Sequence, residues 1–260
     1  MTLTPQMFLI VCPMLFLAGL VDAIGGGGGL ISLPAYLLAG VPMHNAIATN
    51  KLSSTCGTTL TTVRFIRQGL VNWKIAVPTI IFAMLGSSLG ANLSMKMDEG
   101  IMQNILFLVL PIVAFVVMNP KLFRDNEGAK VVLDTRLWVT AILSSFLIGM
   151  YDGFYGPGTG TFLMIIFIRL AKLDTRTAAG NVKVVNLSSN IGSLITAWTA
   201  GYVYWGVGLI ASLASILGHY LGAGLAIKNG SKIVKPTVVI VLILLTVKVL
   251  SELLFPEFWA

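Results

Sequence analysis

Charged residues are scarce in this sequence: they make up 10% of its 260 residues, against about 25% in a typical soluble domain. So few charges cannot cover a solvated surface, and a water-soluble globular protein is therefore excluded. Plainly polar stretches are scarce too, and the longest runs only from Lys121 to Lys130, which leaves no soluble domain of usable size. Hydrophobic residues make up 56% of the chain, so the sequence predicts an all-α polytopic membrane protein.

Motifs for catalysis, metal binding and secretion are also missing. The two cysteines, Cys12 and Cys56, lie in apolar segments at no metal or redox spacing, so we interpret them as buried structural thiols. Apart from Asp22 and Asp152 there are no paired intramembrane carboxylates, and there is neither an HExxH motif nor a Ser/His/Asp set. We therefore expect no enzyme. The N-terminus has no basic region and its apolar run leads into glycines, so we expect no removable signal peptide.

Apolar segments fill nearly the whole chain, separated by polar or glycine-rich breaks. Most reach the roughly 20 residues needed to span the hydrocarbon core. The second and seventh are shorter, and each begins at a glycine cluster, so each either crosses as a half-length helix with unwound backbone or re-enters. The ten segments lie near 5–24, 28–40, 46–66, 73–95, 101–119, 136–153, 158–170, 177–200, 203–227 and 236–255.

The distribution of basic residues favours ten full crossings. If all ten segments cross, one side collects thirteen lysines and arginines and the other only Lys96. If the second and seventh segments return, the same residues divide seven and seven. Because basic loops stay in the cytoplasm, we predict that both termini are outside. The net charge of +7 is then mainly an orientation signal, and nucleic acid is not expected as a partner.

The two halves of the chain match each other at an offset of 130 to 132 residues. Asp22 matches Asp152, and the stretch GSSLGANL from Gly86 matches GHYLGAGL from Gly218. Five crossings per half invert the second half, which is typical of secondary transporters with interrupted helices; a duplication without transport meaning is the alternative. We predict a first membrane repeat at 1–120, a cytoplasmic linker at 121–135 and a second membrane repeat at 136–260.

Each short segment follows a glycine-rich break. Unwound backbone in a membrane must line a cavity or be covered by protein, and the N-terminus of the helix that follows is suited to an anion. Glycine allows a solute to approach the backbone, although it also permits tight helix packing. The two breaks are Ala23 to Gly29 and Tyr155 to Gly160.

The third and eighth segments carry polar residues at helical spacing. Lys51 and Lys183 lie inside these apolar stretches, where a charge is costly unless it faces a cavity or a partner. Two cations near the centre suit an anionic solute, although Lys51 could instead extend toward the outer end of its helix. The polar positions are Asn50, Ser54, Gly57 and Thr61 in the third segment, and Lys183, Asn186, Asn190 and Ser193 in the eighth.

Asp22 and Asp152 stand just before the two glycine breaks. Either residue could accept a proton in a coupled transport cycle or cap the short helix that follows. His44 and His219 fall at loop and packing positions without a functional pattern around them.

The chain resembles the sulfite exporter TauE/SafE family, also called the four-toluene sulfonate uptake permease family. The motifs that carry the resemblance span both halves: VDAIGGGGGLISLP from Val21, AIATNKLSSTCGT from Ala46, YDGFYGPGTGTF from Tyr151 and TAAGNVKVVNLSSNIGS from Thr177. The resemblance implies a bacterial or archaeal inner-membrane permease for sulfite or a small organosulfur anion, without a cofactor. The sequence is compatible with a homodimer but does not decide the oligomeric state.

The resemblance places the site on the two glycine-rich loops and on the segments holding the paired asparagines and lysines. Proton-coupled export by alternating access is the favoured function; a passive anion channel or facilitator, or a carrier of a carboxylate or another oxyanion, is the alternative. The coupling candidates are Asp22 and Asp152, and the predicted substrate-binding residues are Gly26, Gly27, Gly28, Gly29, Asn50, Lys51, Ser54, Gly156, Gly158, Thr159, Gly160, Asn181, Lys183 and Asn186.

Overall fold

The computed structural model of the chain describes residues 5–98 and 132–230, together with 232–234, 236–237 and the single positions 240, 243, 247 and 251. Every regular element with defined bounds in these residues is a helix. The predicted fifth segment at 101–119, nearly all of the predicted linker and most of the tenth segment lie outside the described residues.

Eight helices account for eight of the predicted apolar segments, with ends within about three residues of the predicted ones, the usual uncertainty of helix boundaries. The all-helical prediction is thus confirmed for the part of the chain that the structure describes. The helices are α1 (Pro5–Gly25), α2 (Gly29–Leu38), α3 (Met43–Arg67), α4 (Trp73–Lys96), α5 (Thr135–Phe154), α6 (Thr159–Arg169), α7 (Thr175–Thr199) and α8 (Trp205–Asn229).

Polar side chains define where several helices begin. Asp134 accepts a hydrogen bond from the backbone N–H of Leu137 at 2.8 Å at the start of α5. Asp174 accepts from the N–H groups of Arg176 and Thr177 at the start of α7. These carboxylates satisfy N–H groups that have no partner inside the helix. By contrast, the residues that immediately precede α2 and α6 are Gly28 and Gly158, which provide no side-chain cap.

The two short helices are α2, with 10 residues, and α6, with 11. At 1.5 Å per residue they are about 15 Å long, half of the roughly 30 Å hydrocarbon core. Neither can cross a membrane by itself. Glycines at positive φ precede both: Gly26 and Gly27 before α2, and Gly156 and Gly158 before α6. Those backbone conformations explain why the chain breaks at the glycines.

The outer surface of the bundle is apolar. Four helices, α1, α4, α5 and α8, are long and apolar enough to cross a membrane by length and composition. Large hydrophobic side chains are exposed at every fourth position of α4 and α8, where they form continuous stripes. Such a surface suits lipid rather than water, so the protein is membrane-embedded. The stripe on α4 comprises Val77, Ile81, Leu85, Leu89 and Leu93, and that on α8 comprises Leu209, Leu213, Leu217, Leu221 and Leu225.

The interior of the bundle is polar. Helices α3 and α7 pack against each other, α3 also against α8, and α7 also against α4 and α6. Most of their serine, threonine, asparagine and lysine side chains are buried, including Lys51 and Lys183, which are each 2% exposed. Buried polar groups of this kind need partners inside the protein, and the candidate site lies among them.

Glycines bring the outer helices into backbone contact. On α4, a Cβ atom added at Gly90 would lie 1.9 Å from the carbonyl oxygen of Met150 on α5. On α8, one added at Gly218 would lie 2.0 Å from the carbonyl oxygen of Phe16 on α1. Small residues allow this close approach between membrane helices. The resulting pairs are α4 with α5 and α1 with α8.

Replacing Gly90 with alanine is therefore expected to destabilise the bundle by about 1–3 kcal/mol, as overpacking usually does. The carbonyl oxygen of Met150 belongs to a helix backbone and cannot move away without separating α4 from α5. Gly224→Ala on α8 is the matched control, because the atoms nearest its Cβ are those at the far end of the Arg64 side chain, at 3.3 Å, rather than backbone atoms. Thermal unfolding in detergent provides the measurement, and equal melting temperatures for the two variants would contradict the prediction.

Candidate functional site

The two glycine breaks meet each other in the centre of the bundle. A Cβ atom at Gly26 would lie 2.5 Å from the Cα atom of Gly160, and one at Gly160 would lie 2.8 Å from the Cα atom of Gly26. Thr161 donates to the carbonyl groups of Gly25 and Gly26. Two segments far apart in sequence therefore form one junction, and the absence of side chains at Gly26 and Gly160 permits it.

A polar cavity lies beside this junction. The space not filled by atoms measures about 320 Å³, including the mouth of the cavity. Helices α2 and α6 both begin at its wall, so the positive ends of two helix dipoles point toward it. The lining residues are Asp22, Gly27, Gly29, Asn50, Lys51, Ser54, Asp152, Gly156, Thr159, Gly160, Asn186 and Asn190.

A buried ion pair forms part of the wall. The ammonium nitrogen of Lys51 lies 2.8 Å from Oδ2 of Asp152, and the two side chains are only 3% and 4% exposed. Lys51 therefore does not extend toward the end of α3. Asp152 also accepts from the Ser189 hydroxyl, and the Thr159 hydroxyl lies 2.9 Å from its Oδ1. These additional donors compensate the desolvation of the carboxylate.

The second aspartate has a different environment. Oδ1 of Asp22 accepts from the backbone N–H groups of Gly27, at 3.1 Å, and Gly28, at 3.2 Å. The carboxylate therefore holds the loop before α2 rather than the first turn of α2 itself. Lys183 donates to the backbone carbonyl of Asp22, and Asn186 lies 3.5 Å from Oδ2. Each buried lysine thus contacts the aspartate-bearing helix of the other half of the chain.

Asparagines extend the polar wall. The Oδ1 atom of Asn190 lies 3.4 Å from the Lys51 ammonium, and its Nδ2 lies 3.4 Å from the Thr58 hydroxyl. Asn50 lines the same cavity, and its Oδ1 is buried without a hydrogen-bond partner among the described residues. An unpaired buried amide oxygen at a cavity wall can accept a hydrogen bond from a water molecule or a solute.

Nine of the fourteen predicted substrate-binding residues line the cavity, as do both coupling candidates. The structure brings together Gly27, Gly29, Asn50, Lys51, Ser54, Gly156, Thr159, Gly160 and Asn186 with Asp22 and Asp152.

The other five predicted residues lie close by without lining it. Gly26 forms the junction with Gly160, while a Cβ at Gly28 would meet Ala18 at 2.6 Å. Gly158 has φ +82°, and an added Cβ atom would lie 3.2 Å from the Phe162 ring. Its position therefore fits a role in backbone geometry. Lys183 contacts Asp22 from behind the wall, and Asn181 donates to the carbonyl of Thr177 one turn earlier in α7.

Three residues of this region were not among the predicted site residues: Ser189, Asn190 and His219. Helical spacing places Asn190 on the polar face of α7 but does not distinguish it as a site residue, and Ser189 directly precedes it in the sequence. The Nε2 atom of His219 lies 3.3 Å from Oδ2 of Asp22, so the histidine does more than pack. One signal could have identified it, because in the matched stretches GSSLGANL and GHYLGAGL a histidine stands opposite Ser87.

Metal-binding side chains do not cluster here. Across residues 5–98, 132–230 and the isolated positions beyond, no three histidine, cysteine, aspartate or glutamate side chains come together. The chemistry of the site is that of charge pairs, amides, hydroxyls and helix N-termini.

Comparisons with known proteins agree on the class of protein. A family model described as Sulfite exporter TauE/SafE matches residues 11–249. A probable membrane transporter protein of a Sinorhizobium species is 37% identical over 238 residues, covering 91% of this chain and 90% of that protein. The probable membrane transporter protein YfcA of Escherichia coli is 32% identical over 252 residues, covering 96% of this chain and 91% of that protein. No solved structure matches.

Proposed function

Because this chain belongs to the sulfite exporter TauE/SafE family, we propose that it is a secondary transporter of sulfite or a small organosulfur anion. It moves its solute by alternating access across the inner membrane of a bacterium or archaeon, in the direction of export and coupled to protons. Both termini lie outside, and the basic loops lie in the cytoplasm.

An inverted repeat underlies the alternating access. Residues 1–120 form one membrane repeat, 121–135 a cytoplasmic linker, and 136–260 the second repeat. The order and lengths of the helices support this arrangement, since α1 to α4 have 21, 10, 25 and 24 residues and α5 to α8 have 20, 11, 25 and 25. The glycine contacts support it too, because Gly86 and Gly218, which match in sequence, both pack on a backbone carbonyl of the other half. Solute sites of such transporters lie between the repeats.

A buried cation beside two helix N-termini is the feature that supports an anionic solute. The lysine is Lys51, and the helices are α2 and α6. Electrostatic interactions are strong at such a site because little water screens them. The unpaired amide oxygen of Asn50 is a hydrogen-bond acceptor at the same wall, so beside the cation the cavity also has a place for a donor group such as water or the hydroxyl of a protonated oxyanion.

An anionic solute that binds Lys51 has to displace Asp152 from the ion pair between them. The Asp152 carboxylate lies 2.8 Å from the Lys51 ammonium, so it is paired with the cation that an anionic solute would bind. When a sulfur oxyanion binds Lys51, the hydroxyl groups of Thr159 and Ser189 remain to stabilise Asp152. Binding therefore exchanges one charge partner for another, at a lower cost than burying an uncompensated charge.

Counterflow in proteoliposomes tests this function. Vesicles preloaded with unlabelled sulfite, under anaerobic conditions, are expected to take up ³⁵S-sulfite faster and to a transiently higher level than vesicles loaded with chloride. An alternating-access carrier returns faster when it carries solute, whereas a pore shows no such acceleration. Protein-free vesicles are the control. Uptake without acceleration would indicate a facilitator or channel, and acceleration by a carboxylate instead of sulfite would change the substrate class.

Two buried asparagines of α7 provide a matched pair of variants. Asn190 lines the cavity and contacts Lys51, whereas Asn181 bonds only one turn back along its own helix. Asn190→Ala is expected to lower counterflow by about tenfold or more, since a hydrogen bond to a charged group contributes about 1.5–3 kcal/mol. Asn181→Ala is expected to retain most of it. Equal losses in the two variants would show that α7 affects transport through packing alone.

A further inference from the structure

His219 occupies a slot formed by glycines. The side chain is 2% exposed on α8, and its ring lies between α1 and α3. A Cβ atom at Gly19 would lie 2.7 Å from the Nδ1 atom of His219, and one at Gly57 would lie 2.2 Å from it. Any larger residue at either position would collide with the ring. The two helices therefore leave room for an imidazole and fix its orientation.

The hydrogen bonds at Nδ1 determine which nitrogen of His219 carries a hydrogen. Nδ1 lies 2.9 Å from the backbone carbonyl oxygen of Ser215 and 3.3 Å from the Ser215 hydroxyl. A carbonyl oxygen can only accept, and it is the nearer of the two groups. We therefore assign a hydrogen to Nδ1 from this network.

The other ring nitrogen of His219, Nε2, then needs a proton to make a favourable contact with Asp22. Nε2 lies 3.3 Å from Oδ2 of Asp22. A neutral imidazole with its hydrogen on Nδ1 has a lone pair at Nε2, and an ionised carboxylate has only lone pairs. Those two groups repel each other unless a proton lies between them. With the hydrogen on Nδ1, this contact is favourable only when the pair has bound one additional proton.

We propose that His219 and Asp22 together hold one exchangeable proton, at a site separate from the Lys51–Asp152 ion pair. The proton comes from a hydronium ion of the aqueous phase, which becomes water as the N–H bond forms at the free lone pair of Nε2. Histidine is the side chain that ordinarily changes charge between about pH 5 and 8, which suits it to a site that loads and unloads.

The surrounding charges distinguish this site from the other aspartate. From α7, Lys183 donates its hydrogen bond to the backbone carbonyl of Asp22, and its ammonium also attracts the nearby carboxylate without a direct contact. From α3, Arg64 donates to the backbone carbonyl of Tyr220, which follows His219 in the sequence, and its guanidinium lies over the Tyr220 ring. Asp152, by contrast, already has a lysine ammonium at 2.8 Å. Asp152 therefore forms a direct ion pair with a lysine, whereas the side chain in contact with the carboxylate of Asp22 from α8 is a histidine.

The proton site reaches the cavity through Asp22. One carboxylate oxygen faces His219, and the other holds the N–H groups of Gly27 and Gly28. Loss of the proton leaves two lone-pair groups in contact, which weakens the contact between α8 and the end of α1, where Asp22 binds the loop before α2. This consequence rests on the proposed transport function, because the loop is part of the solute cavity.

Nuclear magnetic resonance can observe the proton without any transport assay. The chain has only two histidines, so a His44→Asn variant labelled with ¹⁵N-histidine reports on His219 alone. The ¹⁵N shifts are expected to show both ring nitrogens protonated or strongly hydrogen-bonded near pH 6, and a change to the Nδ1–H neutral form as the pH rises to about 9. Asp22→Asn, in the same background, should shift that transition. A single neutral form over the whole range would overturn the proton site.

Transport then tests the coupling separately. In the intact protein, His219→Gln is compared with wild type for ³⁵S-sulfite counterflow at equal pH and for accumulation driven by a pH gradient. Accumulation is expected to fall by about tenfold more than counterflow, within the usual range of coupling between two sites. Equal reduction of both activities would overturn the coupling. Absence of wild-type sulfite counterflow would instead contradict the proposed substrate, while the resonance experiment would still decide the proton site.

Discussion

Replacing Lys51 with methionine is expected to reduce sulfite transport by at least about thirtyfold, since loss of one partner of a buried charge pair costs about 2–5 kcal/mol. Methionine keeps most of the length and apolar volume of the lysine side chain. The ammonium group that lies 2.8 Å from Asp152 at the cavity wall is lost, and with it the cation proposed to bind the solute. The measurement is initial ³⁵S-sulfite counterflow at several concentrations.

This variant also leaves Asp152 buried without its cation, which is expected to destabilise the protein by about 3–5 kcal/mol. The double variant Lys51→Met/Asp152→Asn separates the two effects. Removing both charges should restore most of the thermal stability, because no unpaired charge remains, but should not restore transport. Recovery of transport in the double variant would mean that Lys51 only neutralises Asp152.

The single variant Asp152→Asn completes the comparison. It keeps the cation and removes the carboxylate that competes with the solute, so it is expected to bind sulfite more tightly while releasing it more slowly. A KM lower than that of wild type, together with a lower maximal rate, is the expected result.

Replacing Gly26 with alanine is expected to have the second largest effect. The residue has φ +72°, and its added Cβ atom would lie 2.5 Å from the Cα atom of Gly160. The atoms nearest this Cβ all belong to the backbone of Gly160 and Thr161. Neither glycine-rich break can therefore move aside without disturbing the wall of the cavity. We expect a stability loss of about 1–3 kcal/mol from the collision, in addition to the backbone strain, and loss of most transport.

Gly69→Ala is a matched control for the strain. Gly69 has a similar φ, +67°, but an added Cβ atom meets nothing within 4 Å. Its cost should therefore be only the roughly 1–2 kcal/mol of the left-handed conformation. Melting temperatures and sulfite counterflow of the two variants give the comparison. Equal effects at Gly26 and Gly69 would show that the contact between the two breaks contributes nothing.

The sequence predicts the helices of this fold well, for physical reasons. Apolar runs and glycine clusters are local signals, and they place α1 and α2 on either side of the first break, as observed. The polar faces of α3 and α7 follow from helical spacing, and most of the residues on them do point inward. Local chemistry thus predicts which residues are unusual for a membrane.

The pairing of those residues could not be predicted in the same way. Lys51 meets Asp152, and His219 meets Asp22, because helices from opposite ends of the chain pack together. Spacing along one helix says nothing about which face of a distant helix lies opposite. The difference between Gly27, which lines the cavity, and Gly28, which packs on Ala18, also depends on the rotation of the loop.

The pairs α1 with α8 and α4 with α5 each join helices from opposite halves of the chain. This pairing has a consequence for biogenesis. As the chain emerges from the ribosome, α1 enters the bilayer long before α8, so the surface that later receives Gly218 must first face lipid or an insertion chaperone. The polar helix α3, with Lys51 on it, waits in the same way for Asp152. We therefore expect α1 and α3 to be fully packed only after the helices of the second half have been translated and inserted.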